Sequence, residues 1–343
     1  MEQIKDLYHL AGLLPEEIAA IPHIGPSFRG MQIFKWIASG VTTFEQMNNL
    51  PKSLREELSN NCLVRSSHIS QTLKDPDGTI KLQLTLHDGM AVETVLLTDQ
   101  SDRKTACVSC QVGCAMKCAF CQTGQLGFAR NLSTAEIVEQ FLYLEEVAGP
   151  LDNIVFMGMG EPMHNLEAIK KAVIILTHPK GRNLSGRRIT LSTSGIVSGI
   201  YALADSEPVI RLAVSLTTAN PQLRQELMPV TLGNPLPELK KAISYYTEKT
   251  GKRCTLEAAL LAGKNTGQDS AAQLINFAHG LNVHINLIPW NPVEGLPFQE
   301  PTPKECKAFI EKLEKAGLNV TLRTRRGRKI GGACGQLGKT KAP

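Results

Sequence analysis

The spacing of apolar and polar residues divides the chain into three regions with different predicted structures. In residues 1–70 apolar side chains recur every three or four positions, which predicts a small helical domain. Between residues 71 and 99 the period falls to two and turn residues separate the stretches, which predicts a linking β-hairpin. In residues 100–343 short apolar stretches alternate with amphipathic ones, which indicates strands followed by helices.

The third region has the rhythm of repeated β/α units. Such alternation implies a parallel sheet crossed by helices, and about six units fit this length better than the eight of a closed barrel. The predicted fold class is therefore α/β, an open six-unit (β/α) partial TIM barrel. A capping box of Ser133 and Glu136 is predicted to begin its first helix. The strands are predicted at 105–109, 153–158, 187–193, 209–216, 253–260, 283–290 and 319–324, and the helices at 134–148, 166–177, 237–249, 269–279 and 303–316.

The composition is that of an ordinary globular protein. Of 343 residues, 42% are hydrophobic and 20% are charged, so wholesale disorder is excluded. No apolar run approaches the ~20 residues of a membrane span, and the N-terminal segment lacks the apolar stretch of a secretory signal. We therefore expect a cytoplasmic protein without a membrane partner, and we expect it to be a monomer.

Basic residues are concentrated in two short runs. The formal net charge of +5 is a mild excess, which permits nucleic-acid binding without requiring it. Each run is either a solvated turn or a contact for nucleic-acid phosphates beside the predicted site loops. The runs consist of Arg323, Arg325, Arg326, Arg328 and Lys329, and of Lys180, Arg182, Arg187 and Arg188.

Five of the nine cysteines lie in the short stretch 107–121, and this clustering points to a metal. An odd number of cysteines without an export signal argues against a disulfide framework. Cys114, Cys118 and Cys121 follow the first predicted strand, on one tight loop that suits an iron–sulfur cluster. Three protein ligands for four irons would leave one iron open to a substrate. The alternative is a zinc site built from the two CxxC pairs of the same stretch.

Polar and glycine-rich loops follow the other predicted strands. Because the carboxyl ends of parallel strands meet at one mouth, the residues of these loops are expected to lie close together there. Each loop alone is a weak signal, since glycine, serine and proline are ordinary turn residues. The candidates at this mouth are Gly160, Glu161, Ser192, Ser215, Leu216, Thr217 and Asn291.

The cysteine spacing and several longer motifs carry a family resemblance. CX₃CX₂C with Phe120 before its last cysteine resembles the signature of radical S-adenosylmethionine enzymes. The motifs "FRGMQIFKWI", "FMGMGEP", "ITLSTSG", "LIPWNP" and "RRGRKIGGACGQL" are similar to those of the RlmN-type dual-specificity RNA methyltransferases, over nearly the whole chain. The resemblance implies an RNA-binding domain at 1–70, a radical S-adenosylmethionine core at 100–343, and methylation of carbon 2 of an adenine.

The resemblance also implies cofactors and residue roles. The three-cysteine loop would hold a [4Fe-4S] cluster, and the seven candidates at the mouth would line S-adenosylmethionine, two molecules of which are used per methylation. Cys334 would accept a methyl group from the first molecule, and a radical made from the second would activate it for addition to the adenine. Cys107 would release the product by forming a disulfide with Cys334. Glu93 would accept a proton.

The implied partners are 23S rRNA and tRNA, together with an external reductant such as flavodoxin or ferredoxin. Two other functions remain open: methylation of adenine at carbon 8 by a close relative with the same cysteines, and a zinc-bound RNA-binding module without catalysis. The sequence departs from the family pattern at Thr217, where a histidine is usual. It also departs at 328–332, where basic residues and glycines replace an acidic, alanine-rich approach to Cys334.

Overall fold

A computed structural model describes residues 7–338, and the strands among them build one large mixed sheet. Ten of the described strands belong to this sheet, and two small two-stranded sheets contain the others. The strands are β1 (Tyr8–His9), β2 (Cys62–Leu63), β3 (His68–Lys74), β4 (Ile80–Thr85), β5 (Ala91–Thr98), β6 (Lys104–Cys107), β7 (Gln111–Gly113), β8 (Phe128–Asn131), β9 (Asn153–Phe156), β10 (Ile189–Thr193), β11 (Arg211–Ser215), β12 (Cys254–Leu260), β13 (Val283–Pro289) and β14 (Val320–Leu322).

Helices connect the parallel strands of the large sheet. The described α-helices are α1 (Pro15–Ala19), α2 (Phe28–Ala38), α3 (Lys52–Asn61), α4 (Gln122–Gln125), α5 (Thr134–Ala148), α6 (Leu166–Thr177), α7 (Val197–Ala204), α8 (Pro221–Leu227), α9 (Leu236–Thr250), α10 (Gln268–Ala278) and α11 (Pro303–Lys315). The five predicted helices are confirmed, with ends displaced by at most one residue. The capping box is also confirmed: the Glu136 N–H donates to Ser133 Oγ at 3.2 Å, and the Ser133 N–H donates to Glu136 Oε2 at 2.8 Å.

The parallel part of the sheet consists of β6 and β9 to β14, adjacent in chain order. Crossovers containing α5, α6, α7, α9, α10 and α11 join successive strands, so six β/α units precede β14. The predicted α/β fold is therefore confirmed. The sheet does not close into a barrel within the described residues, because β5 and not β14 is the second neighbour of β6.

An antiparallel meander of β5, β4 and β3 extends the sheet beyond β6. The predicted hairpin corresponds to β4 and β5, whereas β3 was not predicted and begins at His68, inside the predicted helical domain. Most side chains of β3 are exposed, so no apolar alternation marks it in the sequence. Val95 of β5 pairs with Cys107 of β6, which makes the meander part of the sheet that carries the candidate site. The domain boundaries at 70 and 99 stay a prediction.

Helices α1 to α3 cover the start of the chain, and their buried side chains join the same apolar core as the sheet. The approach of α2 to α1 depends on Gly30, where a Cβ would overlap the carbonyl group of Pro15. Within residues 7–338, no helix is long and apolar enough to cross a membrane.

Candidate active site

The three-cysteine loop is held at its base by a β-hairpin that sequence analysis missed. Strands β7 and β8 pair antiparallel around residues 114–127, and the Cys114 N–H donates to the Gly127 carbonyl at 2.7 Å. Gly113 has a φ of 74°, and a Cβ there would overlap that carbonyl, so only glycine fits. The hairpin brings the loop to the carboxyl ends of the parallel strands.

A cavity of about 180 Å³ lies between this loop and the strand ends. We call it the cofactor cavity. Ten of the candidates from the sequence line it together, although they come from six separate segments of the chain. They are Cys114, Cys118, Cys121, Gly160, Glu161, Ser192, Ser215, Thr217, Asn291 and Cys334.

Glu161 joins two loops of the cavity wall instead of presenting a free carboxylate. Its Oε2 accepts the Ser194 N–H at 2.7 Å and its Oε1 accepts the Met163 N–H at 3.1 Å. Gly160 has a φ of 108°, and a Cβ there would lie 2.6 Å from the Gln111 side chain. These two positions therefore shape the wall of the cavity.

Leu216 and Thr217 differ from the other candidates in how they are held. The Leu216 side chain is fully buried and does not line the cofactor cavity, so any contact with a ligand would come from its backbone. Thr217 does line it, with a φ of 59°, a left-handed conformation that a β-branched residue rarely adopts. Both N–H groups donate to the Glu257 carbonyl, at 2.9 and 3.1 Å, which holds this strained turn in place.

The donor groups of the cofactor cavity fit a cluster and a polar ligand. Burial raises the pKa of all three loop thiols, that of Cys114 to about 11, so a metal would have to displace their protons. Ser194 Oγ and Asn291 Oδ1 line the cavity and are buried without a hydrogen-bond partner among the described residues. Buried polar atoms of this kind are normally satisfied, and a polar ligand would satisfy them here.

The three cysteines of the loop line one cavity together. Among residues 7–338, no three His, Cys, Asp or Glu side chains converge closely enough to hold one metal ion. Thiolates that each bind a different iron of a cluster need not meet at one point. Their shared cavity therefore agrees with the cluster predicted from the sequence.

A second cavity, of about 390 Å³, adjoins the first, and we call it the substrate-side cavity. Cys107 lines only this second cavity, and burial raises the pKa of its thiol to about 12. All nine cysteines are free thiols, so the disulfide implied by the family stays a prediction. Cys334 lies between the two cavities, whose shared wall consists of Met157, Ile288, Asn291, Arg323 and Cys334.

Glu93 lies on β5 and lines neither cavity within the described part of the chain. Its buried carboxylate forms an ion pair with the buried Lys81, whose Nζ lies 2.9 Å from Oε1. The Gly338 N–H donates to Oε2 at 2.6 Å, so the C-terminal segment lies against it. Glu93 and Val95 are two residues apart and Val95 pairs with Cys107, which puts Glu93 on the same face of the sheet as Cys107.

The two basic runs lie at opposite ends of the parallel strands. Arg323, Arg325 and Arg326 line the substrate-side cavity. The second run precedes β10, so it lies at the amino ends of the strands, away from both cavities. Both runs contain residues paired with acids: Arg325 and Arg328 in the first, and Arg182 and Arg188 in the second. The expectation that both runs flank the site is therefore wrong for the second run.

Sequence analysis also missed Glu257, which lines the cofactor cavity. It lies on β12 in register between Ser215 and Asn286, and the Asn286 side chain donates to its carboxylate at 2.9 Å. Burial raises the pKa of this carboxyl group. The available signal was a single acidic residue in the otherwise apolar stretch 254–260.

Two family models match the chain. The Radical SAM superfamily matches residues 108–275, and the Ribosomal RNA large subunit methyltransferase N-terminal domain matches residues 24–64. Three curated relatives bear the name probable dual-specificity RNA methyltransferase RlmN. The protein of Treponema denticola is 60% identical over 97% of this chain and 96% of its own length. That of Treponema pallidum is 57% identical over 96% and 97%, and that of Moorella thermoacetica is 44% identical over 96% of each.

Solved structures agree with these matches. A radical SAM methyltransferase from Sphaerobacter thermophilus has a TM-score of 0.93 and 39% identity, over 96% of this chain and 99% of its own. The FeFe-hydrogenase maturase HydG from Carboxydothermus hydrogenoformans has a TM-score of 0.50 and 18% identity, over 66% and 55%. The second likeness concerns the fold alone.

Proposed function

This chain belongs to the RlmN family of radical S-adenosylmethionine RNA methyltransferases, and we propose that it methylates carbon 2 of an adenine in 23S rRNA and in tRNA. The observation that carries the proposal is the position of Cys334. It lies between a cavity lined by the three-cysteine loop and a cavity lined by Cys107 and four arginines. A methyl group on the Cys334 sulfur would therefore be within reach of groups in both cavities.

Cys114, Cys118 and Cys121 would hold the cluster, and the seven mouth candidates would hold S-adenosylmethionine, of which two molecules are used per methylation. With a [4Fe-4S] cluster bound, the site would supply the single electron that cleaves this molecule reductively. The orphaned Asn291 Oδ1 and Ser194 Oγ would accept hydrogen bonds from the ligand. An external reductant such as flavodoxin or ferredoxin would supply the electron.

Cys334 would be the methyl acceptor and Cys107 the group that releases the product. The Asn291 side chain donates to the Cys334 carbonyl at 3.2 Å, which orients the loop. In the release step the Cys107 thiolate would attack Cys334 Sγ, so that a disulfide forms and the bond from that sulfur to carbon breaks. The bonding electrons would pass to the carbon, which would take up a proton to become the methyl group. Before this, the radical adduct would give one electron back to the oxidised cluster, and Glu93 would take the proton that leaves carbon 2 of the adenine.

The substrate-side cavity would receive the adenine, with Arg323, Arg325 and Arg326 near the RNA phosphates. Thr217 and the loop 328–332 depart from the family pattern, and their effect would fall on cofactor contact and RNA handling. We also propose that the enzyme acts as a monomer in the cytoplasm.

The test uses anaerobically purified holoenzyme with S-adenosylmethionine, dithionite and either a 23S rRNA fragment or tRNA. Nucleoside mass spectrometry should detect 2-methyladenosine in both RNAs, and Cys334→Ala should produce none. A product that is 8-methyladenosine would overturn the carbon-2 assignment. Zinc instead of iron, with RNA binding but no methylated nucleoside, would favour the non-catalytic module.

A further inference from the structure

Arg224 of α8 is a fully buried guanidinium that sequence analysis left without a role. Its donors reach only neutral oxygens: the Leu216 carbonyl at 3.1 Å, Thr231 Oγ1 at 2.6 Å, and the Ser194 and Ser215 carbonyls at 2.7 and 3.3 Å. The side chain thus joins the ends of β10 and β11, which both line the cofactor cavity.

The charge of Arg224 has no carboxylate partner among residues 7–338. Lys81, another buried cation, lies 2.9 Å from the Glu93 carboxylate. A buried charge without a counter-charge is strongly unfavourable, which points to a negative group that is present only when the site is loaded.

The helix that carries Arg224 also contacts the loop of the proposed cluster ligands. The end of α8 supports the cysteine loop directly, because the Ala119 N–H donates to the Leu227 carbonyl at 2.9 Å. Arg224 itself donates to the carbonyls of Ser194 and Ser215, and both of these residues line the same cavity as Cys118.

We propose that Arg224 is the counter-charge of the iron–sulfur cluster, a positioning residue that holds the strand ends in place and favours the reduced cluster. The inference rests on the cluster proposed above. The negative charge of three thiolates exceeds the positive charge of the oxidised iron–sulfur core. The cluster with its ligands is therefore negative, and one added electron makes it more negative. A fixed cation in a water-poor site therefore stabilises the reduced state more than the oxidised state.

The experiment compares Arg224→Gln and Arg224→Lys in the full chain with a reconstituted cluster. Each is titrated with dithionite and redox mediators, and the reduced cluster is followed by electron paramagnetic resonance. Arg224→Gln should make reduction at least roughly tenfold less favourable, a shift of about 59 mV to more negative potential. Arg224→Lys keeps the positive charge but lacks the planar set of guanidinium N–H donors. Its equilibrium constant for cluster reduction should stay within about threefold of the wild type.

Both substitutions remove the guanidinium hydrogen bonds, so a purely structural role would shift the two variants alike, and that result would overturn the proposal. An unchanged potential in Arg224→Gln would overturn it as well. If Arg224→Gln cannot retain iron, retention by Arg224→Lys supports the proposal and loss in both refutes it.

The control is Arg65→Gln, which removes a guanidinium that packs on Tyr143 at 4.8 Å and lines neither cavity. Its potential should match the wild type. Failure of the underlying function would be recognised separately, because the wild-type protein would then lack four irons and the signal of a reduced cluster.

Discussion

The cofactor cavity and the substrate-side cavity share a wall but are built in different ways. The first is lined by the ends of parallel strands, and buried groups such as Glu161 and Arg224 join one strand end to the next. The second is lined by β5, β6 and the turn between them, by the chain that leaves β14 and by the segment around Cys334. That segment is held by single hydrogen bonds, such as the Gln122 N–H to the Gly335 carbonyl at 2.8 Å and the Gln336 side chain to the Pro292 carbonyl at 2.7 Å.

In the proposed function, this difference would separate the binding of a small cofactor from contact with a large RNA. Groups on sheet ends are restricted by neighbouring strands, which suits a ligand that must be held in one geometry. Groups on loops adapt more easily, which suits a large substrate. Cys334 lies on a loop, and it lines both cavities.

The largest effect is expected from removing a cysteine of the cofactor cavity. Cys118→Ala should remove one of three cluster ligands, so iron binding and reductive cleavage of S-adenosylmethionine should both fall below detection. Iron analysis and deoxyadenosine release measure the two losses. Cys306→Ala, which removes a buried thiol outside both cavities, is the matched control and should keep its iron. Stoichiometric iron in Cys118→Ala would contradict the assignment.

Cys107→Ala should leave radical addition intact but stop product release, because the thiol that shares the substrate-side cavity with Cys334 is gone. The protein should accumulate covalently attached to RNA, visible as a nuclease-sensitive shift on a denaturing gel. Cys107→Ala/Cys334→Ala should show no shift. Normal turnover by the single variant would refute the pairing of these cysteines.

The Lys81–Glu93 ion pair lies against the C-terminal segment, and removing the cation tests how much this pair stabilises the protein. Lys81→Met removes a cation 2.9 Å from the buried Glu93 carboxylate, and we expect it to lower the free energy of unfolding by about 3 kcal/mol. Urea denaturation of the apo-protein measures this change. Lys81→Met/Glu93→Gln should recover most of the loss, whereas equal instability of both variants would argue against a charge effect.

The rate of product release should depend on pH. Burial raises the pKa of Cys107 to about 12, so its reactive thiolate is scarce at neutral pH and increases about tenfold per pH unit below that value. Release should therefore accelerate from pH 7 to pH 9, as measured by decay of the RNA adduct in single-turnover quench experiments. Deoxyadenosine formation over the same range is the control. A flat pH profile for adduct decay would show that deprotonation of Cys107 does not limit release.

The smallest effect is expected at the rim of the substrate side. Arg325→Gln/Arg326→Gln should weaken RNA binding and reduce the slope of log affinity against log salt by at most about 1.4, the value for two lost phosphate contacts, because Arg325 is also paired with Glu300. Arg187→Gln/Arg188→Gln makes the same change of charge at the other end of the strands and should leave the slope unaltered. Equal slopes for the two double variants would indicate that the first run is an ordinary solvated turn without phosphate contacts.

Much of this architecture is predictable from local patterns. The helix Thr134–Ala148 is marked by its capping box and its apolar spacing, and the strand ends are marked by polar residues after short apolar runs. The antiparallel strand His68–Lys74 was missed because its exposed side chains leave no apolar alternation. Glu257 was missed because one acidic residue in an apolar strand does not reveal which way it faces.

Local sequence patterns were enough to predict the β/α order, the cysteine loop and the polar residues at the strand ends, because periodicity acts over short stretches of chain. The three-dimensional structure was needed to show that Cys107 and Cys334 line one cavity, that Arg224 is buried without an acid among residues 7–338, and that the second basic run lies at the far end of the strands from the site. These facts depend on which distant segments pack together. Contacts of that kind are set by the order of strands in the sheet and by burial, and neither is recorded in local spacing.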